Sequence, residues 1–147
     1  KFDALLAHAG EENITLKIRL QSQPWHLYSG LIVRYILAAA CESKEAAKKV
    51  MQAVADHREE FEFTDHCTGP NRDATPNQIL ARLKEGSGVD ASAAFDQPDL
   101  QNAIKWHCKY ARQNGIHVSP TFMVNGLVQP EISSGDDIAH WASFLIR

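Results

Sequence analysis

The sequence runs to 147 residues, 44% hydrophobic and 22% charged, which is enough for one domain with a substantial core, and it is too polar and too poor in Pro and Gly to read as a disordered or fibrous chain. The formal charge of −3, with Lys and Arg scattered along the chain, gives no extended basic field, so neither nucleic acid nor an anionic membrane is expected as a partner. The longest apolar run, Leu31 to Cys41, is interrupted by Arg34 and falls short of the roughly 20 residues a spanning helix needs. Cys41, Cys67 and Cys108 lie far apart with no C-x-x-C among them, an odd count that argues against a secreted disulfide framework and for a reducing, cytoplasmic setting. Lys1 is followed by no charged, apolar and cleavage-site succession, so the natural start is expected to be processed or upstream.

Phe2 to Ala9 carries apolar residues at helical spacing and is closed by Gly10, as the last turns of a helix would be. Ile14 to Leu20 alternates apolar and polar residues and predicts a strand with one face to a core. Pro24 breaks the chain between Gln21 and Tyr28, and from Ser29 the spacing of Ile32, Val33, Ile36 and Leu37, running into Ala38 to Ala40, predicts a largely buried helix. Ser43 caps a further helix with Ala47, Val50, Met51, Val54 and Ala55 on one side, ending near Phe61 or Phe63. Thr64 to Ala74 has the composition of a surface loop. Thr75-Pro76 then opens a short helix through Leu83, stopped by Gly86 and Gly88. Asp90 to Phe95 predicts another helical turn, and Pro98 to Asn114 carries Leu100, Ile104, Cys108 and Ala111 on one stripe before Gly115. Thr121 to Val124 and Leu127 to Gln129 flank Asn125-Gly126 as a β-hairpin, after which Ser134 or Asp136 caps a last helix holding Ile138, Trp141, Ala142 and Leu145.

A strand, a long helical stretch, then Val118-Ser-Pro-Thr-Phe-Met-Val-Asn-Gly126, a second strand and a closing helix resembles the DsbA-like branch of the thioredoxin superfamily, over nearly the whole chain. The resemblance implies an α/β, thioredoxin-like (DsbA-like) fold with a helical insertion between strands. It implies a single domain over residues 1–147, with 1–24 and 116–147 forming the thioredoxin part and 25–115 the insertion. It places Pro120 in the cis form at the start of the penultimate strand, with Ser119, Pro120 and Thr121 facing substrate. Read on its own, Pro120 equally suits a trans proline opening an edge strand. The family's redox pair, C-x-x-C or C-P-x-S, is not in the sequence. Because Phe2 to Ala9 matches the end of the helix that would carry it, the resemblance puts the first strand and the nucleophilic cysteine upstream of Lys1. Gln23-Pro-Trp-His26 as a degenerate active site is the weaker alternative.

The remaining candidates have plainer explanations. Cys41 and Cys108 sit on apolar helical stretches and read as buried structural thiols, whereas Cys67, beside Asp65 and His66 in a polar loop, reads as an ordinary surface thiol. His66-Cys67 and His107-Cys108 offer zinc-type ligands, but adjacent helical residues point about 100° apart, so no metal site is expected. His8, His57 and His140 read as solvated, and Trp25, Trp106 and Trp141 as core anchors. Without a glycine-rich phosphate loop or a G-x-S-x-G motif, no cofactor is expected.

The function the resemblance implies is a thiol-disulfide oxidoreductase or protein-disulfide isomerase acting on protein or glutathione thiols and disulfides, with this chain supplying binding. Self-association as a homodimer through exposed apolar surface is a further expectation. The alternatives are a redox-inactive binding module of the same fold and a relative of the kappa-type glutathione transferases or hydroxychromene isomerases.

Overall fold

Helical periodicity sets most of this structure, a computed structural model that describes residues 1–23, 26–61 and 72–145. The elements are α1 (Phe2–Ala9), α2 (Ser29–Glu42), α3 (Lys44–Asp56), α4 (Arg58–Phe61), α5 (Pro76–Ser87), α6 (Ser92–Phe95), α7 (Asp99–Gln113), β1 (Met123–Val124), β2 (Leu127–Val128) and α8 (Ile138–Ser143). They fall into two compact units: a helical unit, Leu20–Lys109, and a terminal unit made of Lys1–Arg19 together with the chain from Tyr110 onward.

In the helical unit, α2 packs against α3, α5 and α6. Its buried stripe is Ile32, Tyr35, Ile36 and Ala39, met by Ala46, Ala47, Val50 and Ala53 of α3 and by Ile79 and Leu83 of α5. Ala38 and Ala39 are fully buried, and methyl side chains there let the neighbouring backbones approach closely. Cys41, expected inside, is exposed: it lies two residues beyond Ala39, roughly 200° around the helix and off the buried stripe. Two tyrosines tie the core to loop backbone. The Tyr35 hydroxyl donates to the Val89 carbonyl at 2.7 Å, and burial raises its pKa. The Tyr28 hydroxyl donates to the carbonyl of Ala74.

The helix ends follow the sequence closely. Ser43 caps α3 by accepting from the Ala46 N–H at 2.9 Å, and His57 interrupts what the pattern predicts as one helix into α3 and α4. Thr75 and Gln78 form a reciprocal capping box at α5, with Pro76 at its first turn. Gly86 continues α5, and the stop is Gly88, whose φ of 68° puts it in the left-handed region. The loop around His66 and Cys67, and Pro24-Trp25, lie outside the described residues.

In the terminal unit, α1 packs on α8, and Leu5, Ile132, Trp141 and Ala142 form a small core joined by Ile14, Phe122, Val124 and Ile138. The hairpin pairs Met123 with Val128 and Val124 with Leu127, turning through Asn125 (φ 50°) and Gly126 (φ 85°), the positive angles that a tight two-residue turn requires. The cap of α8 is Asp137, which accepts from the His140 N–H at 2.7 Å. The expected cap Asp136 instead binds the Ser133 N–H and hydroxyl in the preceding turn.

Ile14–Leu20, expected as a strand, forms none. Alternation specifies a face, but a strand also needs a ladder partner, and the hairpin is the only sheet among the described residues. Leu16 and Ile18 are accordingly 37% and 38% exposed.

Leu83 and Leu127 test this division of burial, being 0% and 69% exposed. Leu83→Ala should lower stability by roughly 2–5 kcal/mol in urea unfolding, and Leu127→Ala should stay within about 0.5 kcal/mol of the parent. A second test uses Asp90, whose carboxyl is held down at about 2 by the Lys84 ammonium and by the Ser92 hydroxyl and N–H. A folded pKa below the ordinary 3.8 means the ionised form contributes stability above that value, lost as pH falls through about 2. Asp90→Asn should therefore flatten the acid limb of thermal stability across that window and leave a constant difference near neutrality.

Candidate substrate loop

The segment expected to face substrate is held at both ends by ordinary backbone chemistry. Upstream, α7 ends in a Schellman arrangement: the Ile116 N–H bonds to the Ala111 carbonyl at 2.9 Å across Gly115, whose φ is 66°. Downstream, the Gln129 N–H reaches the Phe122 carbonyl at 2.9 Å and extends the hairpin by one bond. Between these anchors the Ser119–Pro120 peptide bond is cis. The Thr121 hydroxyl donates to the Val118 carbonyl at 2.6 Å and closes the loop on itself. Ser119 and Pro120 are exposed, Thr121 is half-buried, and Val118 is 69% exposed. The three residues picked out by motif thus occupy one solvent-facing turn on a packed base.

That base is aromatic. The ring of Phe122 lies 5.0 Å from that of Trp141, and Phe2 approaches the same indole from 6.2 Å. The Trp141 indole N–H donates to the Ser133 carbonyl at 2.9 Å, so the ring is fixed in plane as well as in depth. The Lys1 ammonium sits 5.5 Å from the indole centre and donates to the carbonyls of Ser134 and Asp136 at 2.6 and 2.8 Å. Sequence patterning placed Trp141 in the core but missed the Ser133–Asp136 turn. The Ser-x-x-Asp spacing was the available signal for it.

No thiol lies on this loop. Cys41 is free and exposed on α2, its Sγ donating to the Leu37 carbonyl at 3.4 Å, and Cys108 is free and half-buried on α7. Neither lies at a helix N-terminus, one of the settings that activate a thiol. Among the described residues, no group of three His, Cys, Asp or Glu side chains could hold a metal ion. Nor, among those residues, is any helix long and apolar enough to cross a membrane. His57 and His140, expected to be solvated, approach carboxylates at the surface, Glu60 at 3.3 Å and Asp136 at 3.7 Å.

With the loop and its base defined, the family assignment rests on sequence and fold together. A thioredoxin family model matches residues 26–141. The chain belongs to the thioredoxin family. Its fold superposes on the crystal structure of a "putative protein-disulfide isomerase" from Pseudomonas syringae with a TM-score of 0.95 at 64% identity, covering 99% of this chain and 82% of that one. No curated protein matches. Identity at that level makes the fold an α/β, DsbA-like thioredoxin fold, in which the helices α2 to α7 precede the hairpin and α8 closes the chain.

The loop should depend on its base more than on its own polar contacts. Trp141→Ala is expected to destabilise the protein by roughly 3–5 kcal/mol, and Trp141→Phe by about 1–2 kcal/mol, since it keeps the ring and leaves the Ser133 carbonyl unbonded. Thr121→Val should cost about 1 kcal/mol and raise amide exchange locally at Ser119 and Thr121, without changing exchange in α3.

Proposed function

We propose that this chain is the substrate-binding portion of a thiol-disulfide oxidoreductase of the disulfide-isomerase type, in which Ser119, Pro120 and Thr121 face the substrate. The observation that carries the reading is the exposed Val118–Thr121 turn on its aromatic base, in a chain 64% identical to a protein described as a "putative protein-disulfide isomerase". We assign the nucleophilic cysteine to sequence upstream of Lys1, because α1 matches the end of the helix that carries it in the DsbA-like branch.

In the mechanism that follows, an upstream thiolate attacks one sulfur of a substrate disulfide. A new S–S bond forms to the nucleophile, and the other substrate sulfur leaves as a thiolate, which takes a proton from water. A second thiol, from a resolving cysteine, the substrate itself or glutathione, then attacks the substrate's sulfur or the nucleophile's. That attack breaks the mixed disulfide and either rearranges or reduces the substrate. The role of the Ser119–Thr121 backbone is to hold an extended substrate segment beside the attacking sulfur, a positional contribution rather than a chemical one. The free thiols Cys41 and Cys108 suit a reducing compartment, and we place the protein in the cytoplasm.

Insulin reduction in the presence of glutathione separates this reading from a redox-inactive binding module. The full natural chain should catalyse turbidity development, and the 147-residue form should not, while both shift the Ser119 and Thr121 amide signals on addition of an extended peptide. Inactivity of the full chain, with the peptide shifts retained, favours the binding module.

A further inference from the structure

The helix α7 divides sharply between its two sides. Leu100 and His107 are buried on one, and the His107 ring nitrogen Nδ1 accepts from the Leu20 N–H at 2.9 Å, while its backbone carbonyl accepts from the Gln21 side chain at 3.0 Å. On roughly the opposite side of the helix, Asn102, Lys105, Trp106 and Lys109 form a contiguous exposed face, spaced at three and four residues. Trp106, expected from sequence to be a core anchor, is 46% exposed.

We propose that this face of α7 is a docking surface for an acidic, apolar-containing polypeptide segment of a partner protein. Two observations carry the choice. An indole exposed to this degree is a large apolar area flanked by polar stems, the composition of an interface anchor rather than of ordinary surface. The two lysines beside it form no ion pair or hydrogen bond among the described residues. Several cations elsewhere in the same helical unit are engaged, Arg82 with Glu60 and Glu85, Lys84 with Asp90 and Arg34 with the Phe95 carbonyl, while among the described residues Lys44 and Lys49, like Lys105 and Lys109, are not. In a chain of net charge −3, the Lys105–Lys109 pair is thus a local excess of positive charge beside an exposed indole.

Magnitudes decide among the possible occupants. An anionic bilayer gains only about 1 kcal/mol per lysine near its surface, and stable anchoring takes a polybasic cluster or a second signal. Nucleic acid binding would rest on about two phosphate contacts, too few to hold at physiological salt. A polypeptide offering carboxylates to Lys105 and Lys109 and an apolar side chain to Trp106 uses all three groups at once.

The surface shares no residue with the Val118–Thr121 turn, and its test reads binding and not redox activity. The full natural chain is titrated into a fluorescein-labelled amphipathic peptide of Glu and Leu residues, with a Lys and Leu peptide as control, and binding is followed by anisotropy. Saturable binding to the acidic peptide alone, weakening as salt rises, is the expected result. The double substitution Lys105→Glu with Lys109→Glu should weaken it about tenfold or more, Lys105→Gln with Lys109→Gln by less, and Trp106→Ala about tenfold. Circular dichroism melting confirms that each variant folds. If Trp106→Ala does not, the lysine variants decide alone, their positions being exposed. The proposal is overturned if the acidic peptide does not bind, or if the charge-reversed variant binds it equally. Binding to phosphatidylglycerol vesicles without binding to the peptide would also overturn it, in favour of a membrane surface.

Discussion

Burial of Trp141 is the constraint on which the terminal unit depends. This unit draws its residues from the two ends of the sequence, and its own elements are short: an eight-residue helix, a hairpin of two two-residue strands and a six-residue helix. None is long enough to be stable alone, since isolated helices of this length are marginal in water and a lone hairpin is no better. One large side chain, 5% exposed, supplies what they lack. Phe2, Phe122 and the Lys1 ammonium meet at its ring, and the indole N–H fixes the Ser133 turn, so a helix, a loop base and the final turn share one anchor. The exposed Val118–Thr121 turn can stay fixed without a core of its own because Phe122, the next residue, is committed to that anchor.

The helical unit solves a different problem. Its helices are longer, and their stripes are dominated by Ala, Val, Ile and Leu, so stability is spread over many modest contacts instead of concentrated in one ring. Its polar groups manage what packing leaves over. Tyr35 and Tyr28 each place a hydroxyl against a loop carbonyl that would otherwise lose its solvent partner. The Arg82–Glu60 pair, with donor to acceptor distances of 2.8 and 3.0 Å, is bidentate, and it holds α5 against α4 with a geometry that most surface pairs lack.

The two cysteines whose surroundings are described show how little residue type says about chemistry. Cys41 is exposed in the last turn of α2, and Cys108 is half-buried in the middle of α7. Family membership rests on the match over most of the chain and not on either thiol.

The sequence by itself determined what depends on local chemistry. The Thr75-Pro76 start of α5, the Ser43 cap, the Gly115 end of α7 and the Asn125-Gly126 hairpin are all written in side chains that act on their own backbone, within a few residues. The motif from Val118 to Gly126 likewise marked the exposed turn and the hairpin that follows it. Tertiary structure decided everything that turned on which of two apolar faces would be covered. Trp106 and Cys41 lie in apolar-looking helical stretches yet point away from the stripes that are buried, because 100° per residue carries neighbours onto different sides. Ile14 to Leu20 has the alternation of a strand and no ladder, since a hydrogen-bonded partner is a property of another segment and cannot be read from its own residues.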